Sequence, residues 1–113
     1  MSESMYPPFP YSLYERCDGL GVLAFKFFES PHPEATPLVM VHGLTSTGLV
    51  DWLPLAFGLA ETRPVLIFDN RNMGKSVPHS PSAKDAFKMS DLAKDVIELV
   101  EVAATCLFIC KVP

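Results

Sequence analysis

The run Leu38-Val-Met-Val41 is apolar throughout and stops abruptly at His42-Gly43. A strand covered on both faces by helices reads as such an unbroken apolar run, whereas a half-exposed strand alternates. A second run of the same kind, Val65-Leu-Ile-Phe68, ends on Asp69. Between them lies Asp51-Trp-Leu-Pro-Leu-Ala-Phe-Gly-Leu-Ala-Glu61, in which Leu55, Ala56, Leu59 and Ala60 recur at helical spacing. Asp51 suits an N-cap, Pro54 falls in the first turn where a lost N–H costs little, and Pro64 follows as a stop. Two buried-type strands joined by a helix predict a parallel pair of the α/β class. In open sheets of that class ligands bind beyond the carboxyl ends of the strands. Those ends are His42-Gly43, where glycine lets the chain turn sharply with its amides exposed, and the segment that starts at Asp69.

The flanking chain fits around this unit. Residues 1–11, rich in proline and aromatics, are expected to lie extended. Tyr14–Cys17 and Val22–Glu29 flank Asp18-Gly19, a strong turn signal between β-prone runs, and predict a hairpin. Leu23, Phe25 and Phe27 share one face of its second strand, with Lys26 on the other. Ser30–Pro37 holds three prolines and is a loop, with His32 solvated; Asn70–Lys88 is irregular, with His79 and Ser80 solvated. Ser90 or Asp91 caps an amphipathic helix running to about Val102. Its apolar stripe is Leu92, Val96, Leu99, Val100 and Ala103, and Lys94 and Glu98 pair at i,i+4 on the wet side. Thr105–Cys110 has the composition of a strand. The expected architecture is α/β: a mixed, mostly parallel sheet of four or five strands with flanking helices. It divides into an extended segment 1–11, a main portion 12–104, and a tail 105–113 that can substitute for a missing strand.

Bulk properties narrow the function classes. With 113 residues, 49% of them hydrophobic, the chain is one domain with material for a core. A net charge of −4 argues against a nucleic-acid surface, which would show as a basic patch. The N-terminus lacks the basic and apolar regions of a secretory signal, and Val102–Cys110 falls well short of the roughly 20 residues a spanning helix needs. Cys17, Cys106 and Cys110 are an odd number without metal spacing, which suits reduced thiols in the cytoplasm; two thiolates at 106 and 110 make a poor zinc site. No metal or cofactor is expected. Gly74-Lys75-Ser76 could end a phosphate loop, but that motif needs glycine where Asp69 stands, so nucleotide binding is set aside.

Two motifs then carry a resemblance. Val41-His42-Gly43-Leu44 follows a strand, and Phe68-Asp69-Asn70-Arg71-Asn72-Met73-Gly74-Lys75-Ser76 comes about 25 residues later. In order and spacing these resemble the N-terminal third of the α/β-hydrolase superfamily, whose members often carry His-Gly-X and then Asp-x-Arg-Gly-x-Gly-x-Ser. The segment from Phe87 to Val96 resembles the helix that precedes the family's nucleophile strand, so the likeness runs from about Gly19 to Val102. It implies that the Leu44 N–H is one donor of an oxyanion hole, that Gly43 keeps the turn open to substrate, and that His42 is structural rather than the catalytic base. It also implies that Asp69 and Arg71 form a structural pair at a tight turn built on Gly74, in a motif that closes on Ser76. Asn72 replaces the family's glycine; asparagine is the residue that best tolerates a left-handed backbone in its place.

The family's nucleophile sits in Gly-x-Ser-x-Gly, and no such sequence occurs here. Ser46, Ser76, Ser80, Ser82 and Ser90 all lack that framing, and the triad's acid and histidine, which follow later in the family, have no counterpart. The resemblance therefore implies a relative of carboxylic-ester hydrolases (esterase, lipase or lactonase) present as an N-terminal part without its triad. Such a chain is inactive alone, and it meets a small ester-like substrate only when completed. The alternative is a non-catalytic interaction module, or a short isoform binding a full-length relative. In the family the strand at Leu38–Val41 is central. Unless Thr105–Cys110 pairs beside it, an open apolar edge remains, inviting association or aggregation.

Overall fold

The computed structural model describes residues 10–43, 46–80 and 87–111, with backbone alone for 105–111. Most of the 1–11 segment, Leu44, and the side chains of Cys106 and Cys110 lie outside the described residues. Seven elements follow in order: β1 (Ser12–Glu15), β2 (Val22–Phe28), β3 (Leu38–Met40), α1 (Gly48–Asp51), α2 (Leu53–Leu59), β4 (Val65–Phe68) and α3 (Met89–Lys111). The four strands form one sheet in the order β1-β2-β4-β3.

The hairpin forms where Asp18-Gly19 predicts it. Gly19 has φ +73°, the Asp18 carboxylate accepts the Leu20 N–H at 2.9 Å, and Ser12–Glu15 pairs antiparallel with Val22–Phe25. β2 also pairs antiparallel with β4, whereas β3 and β4 are parallel with Leu38, Val39 and Met40 opposite Val65, Leu66 and Ile67. The sheet is thus mixed, with one parallel pairing. A parallel pair needs a crossover, and the helical segment between β3 and β4 supplies the one seen among the described residues.

Both faces of the sheet are covered. Leu23, Leu66 and Phe68 pack with Leu99 and Ala103 of α3, and Phe25, Phe27, Val39 and Val96 join them. On the opposite face Ala24, Phe28, Met40, Val65 and Ile67 pack with Leu49 and Ala56 of α1 and α2. All four residues of β4 are buried, which is why its sequence shows no alternation. Leu55, expected on the apolar face of its helix, is 51% exposed; Ala56 takes the buried position because the helical segment breaks at Trp52 and restarts at Leu53.

The helix starts are set differently from their local signals. α1 begins at Gly48, not after Asp51, and the Asp51 carboxylate reaches back to the Thr47 N–H at 3.2 Å. Likewise α3 starts at Met89, and Asp91, in its first turn, accepts the Lys88 N–H at 2.8 Å, the acidic half of a capping box. Glu98 turns from the expected Lys94 to the hairpin, where it accepts the Cys17 N–H at 3.2 Å. Thr105–Cys110 is not a substitute strand, because α3 runs unbroken to Lys111. A short apolar run fits buried helix and strand equally, and here the helix already under way continues. Among the described residues nothing pairs with the outer edge of β3, which stands at the end of the sheet. None of the described helices is long and apolar enough to cross a membrane.

The Asp91 carboxyl is held below its usual range, first by the hydrogen bond from the Lys88 N–H and then by the charges of Arg71, Lys94 and Lys88. A carboxyl lowered on folding adds stability that is full above its unfolded value and is lost as pH falls through the lower folded one. Acidification below about pH 4 should therefore fray the start of α3 before the sheet. Amide exchange at Lys88–Leu92 should rise first, and Asp91→Asn should flatten that dependence.

Candidate functional site

Asp69, directly after β4, is fully buried and organises the strand ends around itself. One carboxylate oxygen accepts the N–H groups of Gly48 and Leu49, both at 2.9 Å, and the other accepts the Lys75 N–H at 2.9 Å. Asp69 thereby caps α1 from some twenty residues away, an arrangement favoured by the partial positive charge of a helix start. Burial pushes its carboxyl above the ordinary value, while the N–H groups of Leu49, Lys75 and Gly48 and the charge of Lys75 pull it back. α1 sits so close to β4 that a Cβ on Gly48 would run into the Phe68 carbonyl.

The turn that follows is held by left-handed residues. Asn72 has φ +64° and Gly74 φ +53°, so the residue standing where the resemblance expects glycine does adopt the left-handed conformation that asparagine tolerates. Ser76 closes the loop from a fully buried position, its hydroxyl donating to the Asp69 carbonyl at 2.6 Å and accepting the Ala24 N–H at 2.8 Å. It is a stitch between the loop and β2, with its hydroxyl spent on backbone.

Arg71 takes partners other than those its motif suggests. Its Nε and Nη2 bind the two oxygens of Asp95 on α3 at 2.7 and 2.8 Å, and Nη2 lies 3.6 Å from Asp18 of the hairpin turn. Asp18 lies in turn 3.3 Å from the Nε of Arg16, which is buried. Two arginines and two aspartates thus link the hairpin, the loop after β4 and α3. The hydrogen bonds to Asp95 raise the Arg71 guanidinium further above its ordinary value. Asp95 and Asp18 were invisible as site residues in the sequence; the signal available was two acids one helical turn apart, Asp91 and Asp95, downstream of an arginine in a turn.

At the end of β3, His42 is 5% exposed and Asn70 1%. The Asn70 N–H donates to His42 Nε2 at 2.8 Å and its side-chain amide donates to the His42 carbonyl at 3.2 Å. The other ring nitrogen faces the Gly43 carbonyl, which also accepts the Ser46 N–H at 3.3 Å and the Ser46 hydroxyl at 3.2 Å. Gly43 is not left-handed, and a Cβ there would meet nothing within 4 Å. Neither a left-handed angle nor a close neighbour among the described residues therefore requires glycine at 43.

These groups line a cleft of about 320 Å³ with Val41, Met89, Leu92, Ala93 and Val96. His42 and Asn70 are its polar side chains; Asp69, Arg71, Gly74 and Ser76 do not line it. A smaller cavity under the later turns of α3, between Phe27, Val39, Leu66 and Val100, has only apolar walls. No group of three metal-ligating side chains occurs among the described residues. His79, expected to be solvated, places its Nε2 2.7 Å from Glu15 while staying half exposed.

Neither a family model nor a curated protein matches the sequence. Solved structures do. One described as a "putative epoxide hydrolase" from Pseudomonas aeruginosa superposes with a TM-score of 0.66 at 25% identity, covering 87% of this chain and 30% of that one. A hydrolase from Pseudomonas aeruginosa PA01 gives a TM-score of 0.66 at 26% identity, covering 83% and 32%. The chain thus spans about a third of the length of these neighbours.

Two substitutions test the frame. Asp69→Asn presents an NH₂ group to backbone donors and should cost at least about 2 kcal/mol in urea unfolding. Asp95→Ala leaves Arg71 with only the more distant Asp18 and should cost about 3 kcal/mol, while Asp95→Glu should recover part of it.

Proposed function

We propose, from the premise that this chain has the fold of the N-terminal part of an α/β-hydrolase, that it furnishes one edge of a hydrolytic site and is inactive alone. The observation that carries this is the His42-Gly43 turn at the carboxyl end of β3, braced by Asn70 in the wall of the cleft. An acyl-transfer transition state places negative charge on the former carbonyl oxygen, and fixed backbone N–H groups lower that barrier. In this reading the Leu44 N–H, with Gly43 leaving it room, supplies half of the oxyanion hole.

The remaining machinery is not encoded in these 113 residues, since no Gly-x-Ser-x-Gly occurs and Ser76 is spent on backbone bonds. Losing a triad's nucleophile costs roughly 10⁶ in rate in a well-studied protease. The substrate class is a small, mostly apolar ester or lactone, with epoxides also in range because of the structural neighbours. No metal or cofactor takes part, and the setting is cytoplasmic.

A second reading follows from the outer edge of β3, which has no strand beside it among the described residues: a module or short isoform that binds a full-length relative. Size-exclusion chromatography separates the two, a discrete hetero-complex supporting the second reading. Purified chain should hydrolyse p-nitrophenyl acetate and styrene oxide no faster than buffer. A burst abolished by a serine-directed phosphonate would overturn the first reading.

A further inference from the structure

Asn70 grips residue 42 at two points, and the chemistry of each contact leaves no freedom in how the groups are arranged. A backbone N–H can only donate, so the Asn70 N–H at 2.8 Å requires Nε2 of His42 to be the unprotonated nitrogen. The ring proton of the neutral imidazole then sits on Nδ1, facing the Gly43 carbonyl, which can only accept. A carbonyl likewise fixes the side chain of Asn70: its nitrogen, not its oxygen, faces the His42 C=O at 3.2 Å. A peptide unit is planar, so holding a carbonyl also aims the N–H that follows it. The His42 and Gly43 carbonyls are held in series by Asn70 and by the imidazole.

We propose that Asn70 is a positioning residue for the oxyanion edge: through a His42 locked as the Nδ1–H tautomer, it fixes the His42 and Gly43 carbonyls on which the turn is built, and with the first of them the Gly43 N–H. Both ring nitrogens are then spent inside the chain. His42 acts as a brace and offers the cleft neither a base nor an acid, so any proton carrier for the reaction comes from another residue. The proposal rests on the oxyanion reading for its purpose, but its geometry can be tested without turnover.

Long-range ¹H–¹⁵N spectra of the imidazoles in the full chain at neutral pH are the first test. His42 should show a single Nδ1–H tautomer, in contrast to His32 and His79, which are 58% and 49% exposed. Asn70→Ala, which keeps the backbone N–H but deletes the amide clasp, should move His42 toward a tautomer mixture. It should also speed amide exchange at position 70 at least tenfold, with the β2–β4 ladder unchanged. An Nε2–H tautomer in the parent chain overturns the proposal, a measurement that needs no variant to fold. So does an Asn70→Ala chain whose His42 signals and position-70 exchange match the parent. Failure of ester hydrolysis on completing the chain with a hydrolase C-terminal part, with the tautomer as expected, would sink the oxyanion reading alone.

Discussion

A single buried carboxylate sets the geometry of everything at the carboxyl end of this sheet. Asp69 accepts the first two N–H groups of α1 and the Lys75 N–H in the following turn, so one side chain fixes a helix start and a loop relative to the strand it terminates. A buried charge is tolerable only when its lone pairs are met, and here the donors are backbone groups that had no intrahelical partner in any case. The Ser76 hydroxyl completes the frame by tying the carbonyl of the same residue to β2. The turn at His42-Gly43 then needs only the short reach from Asn70, the next residue along, to be held in the same frame.

A second layer of charge holds α3 over the frame. Because Arg71 reaches α3 and Asp18 at once, the helix that walls the cleft with Met89, Leu92, Ala93 and Val96 is positioned from the hairpin side as well as by its apolar contacts with the sheet. The carboxylates lie on one side of α3 and the cleft on another. The helix can therefore present an almost wholly apolar wall to a ligand while being anchored by ions.

What the sequence made legible were features decided within a few residues. The buried strand β4 announces itself as an unbroken apolar run, Asp18-Gly19 as a turn, and Asn72 as a residue able to stand in left-handed backbone where glycine is preferred. The similar run at Leu38–Val41 is instead a part-buried strand at the end of the sheet, with Val41 exposed, because only one neighbouring strand among the described residues and part of each helical layer cover it. What stayed hidden were choices made across the fold. Asp51 has the local look of a helix cap, yet α1 takes its acceptor from Asp69; Arg71 has Asp69 two residues away, yet its guanidinium is met by Asp95 on α3. Glu98 had a lysine at i−4 but found a backbone N–H in the hairpin, 81 residues distant. The stretch 105–110 has strand composition and helical backbone, because an ongoing helix continues at no nucleation cost.

The contact between Gly48 and the Phe68 carbonyl leaves no room for even one methyl group. Gly48 is also one of the two residues whose N–H groups Asp69 caps, so the same position meets the strand sterically and the carboxylate electrostatically. Glycine at 48 and aspartate at 69 are therefore expected to co-vary in part: the carboxylate also serves Leu49 and Lys75, but a side chain at 48 would push away the helix start that it caps. An alignment in which they changed independently would mark sequences whose first helix enters the sheet along a different path.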